Sequence, residues 1–471
     1  MKELSYKECV QRFQSERCDN FELSEDGKTI SWQDNIKGAL IIPEGVEIID
    51  CHGQIRSENL TAIIMPDSIR EMKSFVNGNY SRNLHFVRLS SNLHIPDEAF
   101  YNCKIEEIII PEGIKIIPYR AFSGNLFSNI DLPSSIEYIL SEAFKGCKIS
   151  EITIPKNTKV IFPKAFEFCR NLKKVTISSN DTVIMEGAFK ECGEKNDSGY
   201  SFDDNANKIY EEHKIGNRTF GHGEEKYETI NGKKILSYIP KYYCGKLEIE
   251  EGTLDLKFRI LEKCDGITEI HFPDSMKDFP SHYPINVKKI KFPQKAECEN
   301  LTIKDAENLI EFNFPQGIKE LTINYGSILN LQVPEGVIKL EVTQIEQLKH
   351  IIIPSTVEYL IISGCPNLEE ITIPLSVTSL GDNYYKTSFN KNKKIKSATL
   401  LCKTNIGDIF NDCTNLKTLT LGAGIKKFDK DFFNTLSGLE TIYIPAKKLK
   451  YYSSRIPEHL HDKIVELPAE K

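Results

Sequence analysis

The residues in this sequence with the most chemistry to offer are its thirteen cysteines. In pairs such residues form disulfides, and in C-x-x-C sets with histidines they hold zinc. The spacing fits neither. There is no C-x-x-C pair, and Cys103, Cys147, Cys169, Cys192, Cys264, Cys298, Cys365 and Cys413 fall at or close to one phase of a longer repeat. A small, mildly apolar side chain at a recurring inward position reads as a buried free thiol. Glu212, His213, His222 and Glu224 gather in one polar stretch, but their spacing matches no ligand geometry. The carboxylate pairs Glu106–Glu107 and Glu369–Glu370 lie just before strand-like segments and read as solvated edges, and His271 stands alone. There is no G-x-S-x-G, no glycine-rich phosphate loop, no H-E-x-x-H and no calcium-type aspartate cluster. No catalytic residue, metal ligand or cofactor is therefore expected. Enzyme chemistry, the remote alternative, would have to sit in residues 193–235.

Bulk properties narrow the partners. The net charge of -7, from 60 basic and 67 acidic residues, lacks the basic excess of a nucleic-acid-binding chain. The short lysine clusters Lys391 to Lys396 and Lys447 to Lys450 read as solvated surface. The N-terminal stretch has no apolar core of a signal peptide, and no run approaches the roughly 18 apolar residues of a membrane helix. These features, with the free thiols, predict a cytoplasmic protein, with a secreted or cell-surface location as the alternative.

The elements that carry these residues are set by a repeat. Ile136 to Pro155 reads I-E-Y-I-L-S-E-A-F-K-G-C-K-I-S-E-I-T-I-P, and the pattern recurs nearly end to end. Taking the residue after each Ile-x-Ile as a marker gives Pro43, Pro66, Ser90, Pro111, Pro133, Pro155 and Ser178, then Glu250, Pro273, Pro293, Pro315, Pro334, Pro354, Pro374, Leu401, Gly422 and Pro445. That predicts about 17 coils. Ile-x-Ile alternation is a strand with one buried face, which Pro then ends. Ala99-Phe100, Ala121-Phe122, Ala143-Phe144, Ala165-Phe166 and Ala188-Phe189 place a small residue at a bend and a stack of rings inside. Later coils lose Ala-Phe and shorten. At Val357, Leu360, Ile362, Cys365, Leu368, Ile371, Ile373 and Pro374 the pattern contains the L-x-x-L-x-L-x-x-C core of a leucine-rich repeat, which predicts two short strands per coil. Residues Lys386 to Lys396 lengthen one coil as a loop.

The expected organisation is an N-terminal cap over 1–38, repeats with Ala-Phe over 39–192, a polar looped or hairpinned insertion over 193–235, mostly short repeats over 236–445, and a closing cap over 446–471. In the first cap Ser5 and Glu8 make a capping box, and Tyr6, Cys9, Val10 and Phe13 share one helical stripe. That helix is expected to cover the apolar end of the first coil. A hairpin around Asp26-Gly27 follows.

The motif I-x-I-P-x-x-V-x-x-I-x-x-x-A-F-x-x-C-x-x-L resembles the BspA-type leucine-rich repeat over about residues 39 to 445. I-L-S-Y-I-P-K-Y-Y-C-G-K-L-E-I-E-E-G-T resembles that family's coil-starting hairpin, and I-P-A-K-K-L-K-Y-Y-S-S its C-terminal close. The resemblance implies a β-rich α/β solenoid, a right-handed superhelix of stacked parallel strands. It also implies protein binding, commonly by secreted or surface proteins, and no shared catalytic residues.

Side chains between the paired apolar residues must point outward. One such column holds Arg88, Ile109, Asp131, Thr153, Thr176, Glu248, His271, Lys291, Asn313, Gln332, Ile352, Thr372, Thr399, Thr420 and Tyr443; the other strand offers Lys257, Thr302, Thr322, Glu341 and Ile361. Ile352 and Ile361 are apolar where water is expected. The partner-binding positions expected are His271, Lys291, Asn313, Gln332, Ile352, Glu341, Ile361 and Tyr443. The function expected is a non-enzymatic scaffold that binds a protein partner on the solenoid face, with a secreted or surface adhesin as the alternative.

Overall fold

A computed structural model describes residues 4–32, 36–51, 54–55, 57–76, 81–196, 199–215, 218–262, 264–381, 387–389, 392–407, 409–411, 413–429, 432–434 and 436–468. Lys386, Lys391 and their neighbours 390 and 382–385, part of the expected loop and lysine cluster, lie outside that set. The chain forms two compact units, Met1–Phe220 and Gly221–Lys471. Each is a parallel-strand β-solenoid with little helix. Together they make about 19 turns, slightly more than the repeat markers suggest.

In the first unit, short strands at Gly38–Ile41, Leu60–Ile64, Phe86–Arg88 and Glu107–Ile109 join in one parallel sheet. The markers fall where these strands end. The turn opposite carries paired strands of two residues, Ile116–Ile117, Tyr138–Ile139, Val160–Ile161 and Val183–Ile184, in unbroken register. Between them run the Ala-Phe bends. Phe100, Phe122, Phe144, Phe166 and Phe189 stack with ring centroids 5.9, 5.7, 5.3 and 5.0 Å apart, near the spacing of neighbouring strands. The residue before each Ala is left-handed (Glu98, Arg120, Glu142, Lys164), and the fifth coil puts Gly187 there. The bend demands that conformation whatever the side chain.

All thirteen cysteines are free thiols, twelve of them buried and Cys51 half-buried. In the Ala-Phe coils the thiol bonds back across the coil: Cys147, Cys169 and Cys192 donate to the carbonyls of Phe122, Phe144 and Phe166 at 3.0 to 3.2 Å. One coil replaces the cysteine by Asn125. Its amide donates to the carbonyls of Phe100 (2.9 Å) and Phe122 (2.7 Å), and its oxygen accepts from the Ile105 amide at 3.0 Å.

In the second unit the coils without Ala-Phe trade the bend for longer strands. Asn300–Lys304, Glu320–Asn324, Lys339–Thr343 and Tyr359–Ser363 pair over five residues in exact sequence register. The last coil ends in α3 (Leu449–Ser453), whose buried Tyr452 donates to the Gly422 carbonyl. Strand Ile464–Glu466 pairs parallel with Thr441–Ile444 and closes the sheet edge.

The unit boundary falls inside the stretch expected as one polar insertion. Its earlier part folds as helix α2 (Asp203–His213), not as a loop. Phe202, Ala206, Ile209 and His213 recur at helical spacing. Phe202, Ala206 and Ile209 pack on the first unit's core, and a His213 ring nitrogen lies 2.9 Å from the Thr182 carbonyl. The later part is an antiparallel hairpin, Lys226–Ile230 with Lys233–Tyr238, which pairs parallel with Thr253–Leu256 at the start of the second unit.

Candidate binding surface

The outward columns exist, and register fixes their order. In the second unit Glu248 pairs with His271 and His271 with Lys291; Gln332 pairs with Ile352; Thr372, Thr399, Thr420, Tyr443 and then Val465 follow one another. On the other strand Thr302, Thr322, Glu341 and Ile361 line up. The eight expected positions therefore fall on two faces. His271, Lys291, Asn313, Gln332, Ile352 and Tyr443 belong to one, and Glu341 and Ile361 to the other.

Local chemistry separates them. A His271 ring nitrogen lies 2.5 Å from a Glu269 carboxylate oxygen, and the Glu248 carboxylate lies 3.7 Å from the other. Lys246, 2.9 Å away, holds the Glu248 carboxyl below its usual range. Lys291 and Gln332 are exposed, and Tyr443 and Glu341 half-buried. Asn313 is already used: its amide donates to the Phe292 carbonyl at 2.7 Å and its oxygen accepts from the Phe292 amide at 2.8 Å, so the side chain stands in for a strand partner.

Ile361 is corrected by the structure. It is 2% exposed, although it stands outside the core that holds Leu360 and Ile362. The chain that follows returns onto this strand. The Ser379 carbonyl accepts from Leu360, and Thr387 and Ser388 bond to Leu360 and Ile362. The column is closed at that point by the protein itself. Ile352 is the opposite case, 62% exposed.

Ile352 forms one side of a shallow groove of about 550 Å3. Ile310, 59% exposed, lies on the other side. Phe312 and Phe314 line it edge to face, 5.0 Å apart, with Pro334 and Pro354. Glu311 and Glu335 stand at the rim, and Glu311 is 2.9 Å from Lys289. Gln332 and Ile352 are thus the two expected positions that the structure brings together with an apolar surface. Ile310, Phe312 and Phe314 were not singled out by the repeat reading. I-E-F-N-F alternates like its neighbours, with Ile310, Phe312 and Phe314 on one face, so periodicity carries no signal that they line a groove.

The first unit holds a second difference. Helix α1 (Tyr6–Phe13), with its Ser5–Glu8 capping box, does not cover the end of the first coil. It lies across the outward face of the sheet. Cys9 and Phe13 pack on Ala39, Ile41, Ala62, Ile64 and Phe86, the outward members of three strands whose inward members belong to the interior core. Tyr6 donates to the Ile42 carbonyl at 2.7 Å near the strands' C-terminal ends, and Phe13 packs tilted against Phe86, ring centroids 4.6 Å apart, near their start. The helix therefore runs antiparallel to the strands beneath it. Arg88, expected to face water, is buried below Tyr6 and donates to the Met65 and Leu89 carbonyls. The legible signal was A-L-I-I and T-A-I-I-M, strands apolar on both faces.

The residues weighed for metal chemistry do different work. His213 is buried against Thr182, Glu212 lies 3.9 Å from Lys208, His222 is 3.3 Å from Glu225, and Glu224 accepts from the Tyr242 hydroxyl. Among the described residues no group of three or more His, Cys, Asp or Glu side chains is placed to share a metal ion. No helix among them is long and apolar enough to cross a membrane.

Comparison with known proteins bears on this architecture. The profile of the BspA type leucine rich repeat region matches residues 93–213, 213–325, 241–347 and 338–456, with six copies. A leucine-rich repeat protein from Bacteroides ovatus is similar in structure at 17% identity, covering 95% of this chain and 98% of its own, with a TM-score of 0.33. A leucine rich cell surface protein from Faecalibacterium prausnitzii is 16% identical over 93% and 96%, with a TM-score of 0.22. The pneumococcal vaccine antigen PcpA is 14% identical over 96% and 98%, with a TM-score of 0.26. No curated protein matches the sequence. With its thiol ladders, its stacked phenylalanines and a profile match that spans residues 93–456, the chain belongs to the BspA type leucine rich repeat family.

Proposed function

We propose that the chain is a non-enzymatic scaffold that holds a protein partner on the outward strand column of its second unit. The groove between Ile310 and Ile352 is its anchor point. One observation carries the reading: Ile310 and Ile352, each more than half exposed, flank Phe312 and Phe314 in a groove beside the outward column, where the members next to Ile352 are the polar Gln332 and Asn313. Apolar surface left in water forgoes about 25 cal/mol per Å2, and burying it under a partner recovers that. Lys291, His271 and Gln332 along the same column supply polar contacts around the anchor, the arrangement of a protein interface. Repeat solenoids offer extended faces of this kind, and the family is one of repeat proteins.

The test is affinity capture from native lysate with the intact chain, its I310K/I352K variant and a T153K variant altered on the first unit. A partner recovered by the intact chain and by T153K, and lost with I310K/I352K, supports the groove as anchor. Recovery unaffected by I310K/I352K removes it.

Display outside the cell is the second reading. Family membership favours it over a cytoplasmic location, since the BspA-type resemblance implies secreted or surface proteins. Antibody labelling of intact cells distinguishes the two, since only a displayed protein is stained without permeabilisation.

A further inference from the structure

The helix on the outward face of the first unit leaves room beside it. A cavity of about 480 Å3 lies along its flank, lined by Leu4 next to α1, by Glu106, Ile109 and Glu112 of one coil, and by Asp131 and Leu132 of the next. Among the described residues its lining includes four carboxylates, Glu106, Glu107, Glu112 and Asp131, and no Lys, Arg or His. Ile109 is half-buried and packs against the α1 layer on one side. Glu112 is fixed by the Ser134 and Ser135 amides at 2.7 and 3.0 Å, which hold its carboxyl below the usual range and keep it charged.

We infer that this groove docks a basic amphipathic helix of a protein partner, laid beside α1 so that the helix layer continues across the sheet. Two observations select that occupant. The first is charge: an apolar floor whose charged groups, among the described residues, are all carboxylates favours a segment with an apolar stripe and flanking Lys or Arg. The second is continuity with a contact already made on the same sheet. Helix α1 places Phe13 and Cys9 on the outward residues and lays Arg12 on Glu107, the first carboxylate of the groove. A neighbouring helix would repeat that arrangement one coil further on, with Ile109 below it and Glu106 and Glu112 to receive its cations. The inference concerns the first unit alone and stands independently of the groove at Ile352.

The experiment uses the full chain and two synthetic helix-forming peptides with the same Leu and Phe stripe, one flanked by lysines and one by glutamates. Binding is followed by fluorescence anisotropy at low and high salt. The lysine peptide should bind, should lose affinity as salt rises, and should bind the E106K/D131K variant about tenfold or more weakly. The glutamate peptide should not bind. An E335K variant, altered in the second unit, should behave as the parent chain. Equal binding of the two peptides, or lysine-peptide affinity unchanged by E106K/D131K, overturns the assignment. No peptide binding, together with self-association of the parent chain that E106K/D131K abolishes, overturns it in favour of a second copy of this chain. Circular dichroism and the melting transition of E106K/D131K separate lost binding from lost folding.

Discussion

Arg12 on α1 clasps Glu107 on the fourth coil through two side-by-side N–H···O bonds of 2.8 and 2.7 Å. This bidentate pair ties the terminal helix to a strand 95 residues away. Both groups are exposed, so the pair contributes little despite its geometry, about 0.2–1 kcal/mol. The helix is held instead by Phe13 and Cys9 against Phe86 and the small outward residues. R12A should therefore leave the global melting transition in place and raise amide exchange in α1 only slightly, an effect that disappears in high salt. F13A should cost about 3–5 kcal/mol of local stability and free the helix. Hydrogen exchange of residues 6–13 reads both. A larger effect for R12A than for F13A would show that charge, not burial, seats the helix.

Asn125 fills the place that cysteine fills in neighbouring coils, and it makes three hydrogen bonds where Cys147 makes one to Phe122. Replacing it leaves the buried Ile105 amide and the Phe100 carbonyl without partners, while the Phe122 carbonyl keeps the Cys147 thiol. N125A should cost about 2–3 kcal/mol and C147A about 1 kcal/mol, measured by denaturant unfolding. The reverse order would mean that the ladder position is set by volume and not by hydrogen bonding.

The coils were legible because their signal is a burial pattern repeated many times, and stacking is the only way such a pattern hides its apolar rows. Phe144 and Cys147 sit where the repeat puts them because each copy constrains the next. What escaped is where the chain covers itself. The α1 stripe was readable, but its target, the outward face at Ile41 and Ile64, is specified by contacts distant in sequence. Ile361 reads as outward by alternation and is outward, yet the returning coil buries it. In α2 the helical spacing of Phe202, Ala206, Ile209 and His213 was diluted by a polar composition that suggested a loop. Ile310, Phe312 and Phe314 read as one more coil because periodicity marks which face a residue takes, not how much of it a neighbouring coil leaves uncovered.

The thiols give the fold a pH signature. Burial pushes Cys147 and Cys264 up to about 12, and Cys365 and Cys402 to about 11. In the unfolded chain they ionise near the ordinary thiol value of 9.0. Below that pH both states hold the proton, and the contribution to stability is complete. As pH rises past it the unfolded chain loses protons first, so stability falls steadily toward pH 11 to 12. Denaturant midpoints should be flat from pH 7 to 8.5 and drop beyond pH 9. In the native protein a thiol reagent at neutral pH should label Cys51 first, since the other twelve are buried, and thirteen should react after unfolding. Rapid labelling of several cysteines in the native state would contradict the buried ladders.

Helix α2 closes the first unit at strand Val183–Ile184, the last of its sheet. An uncovered strand edge with an apolar row beside it invites pairing with other chains. Placing a charge under the helix should therefore do more than lower stability. I209D sets a carboxylate against Phe202 and the core below, at a cost of about 2–3 kcal/mol. It should also expose the edge, giving dye binding and concentration-dependent association by light scattering. K208A on the exposed side of the same helix should do neither, since its ion pair with Glu212 is long and solvated. Excision of residues 193–235 should behave as I209D does, because it removes the cover from the first unit and the starting hairpin from the second. A deletion that stayed monomeric and bound no dye would show that this strand edge needs no cover.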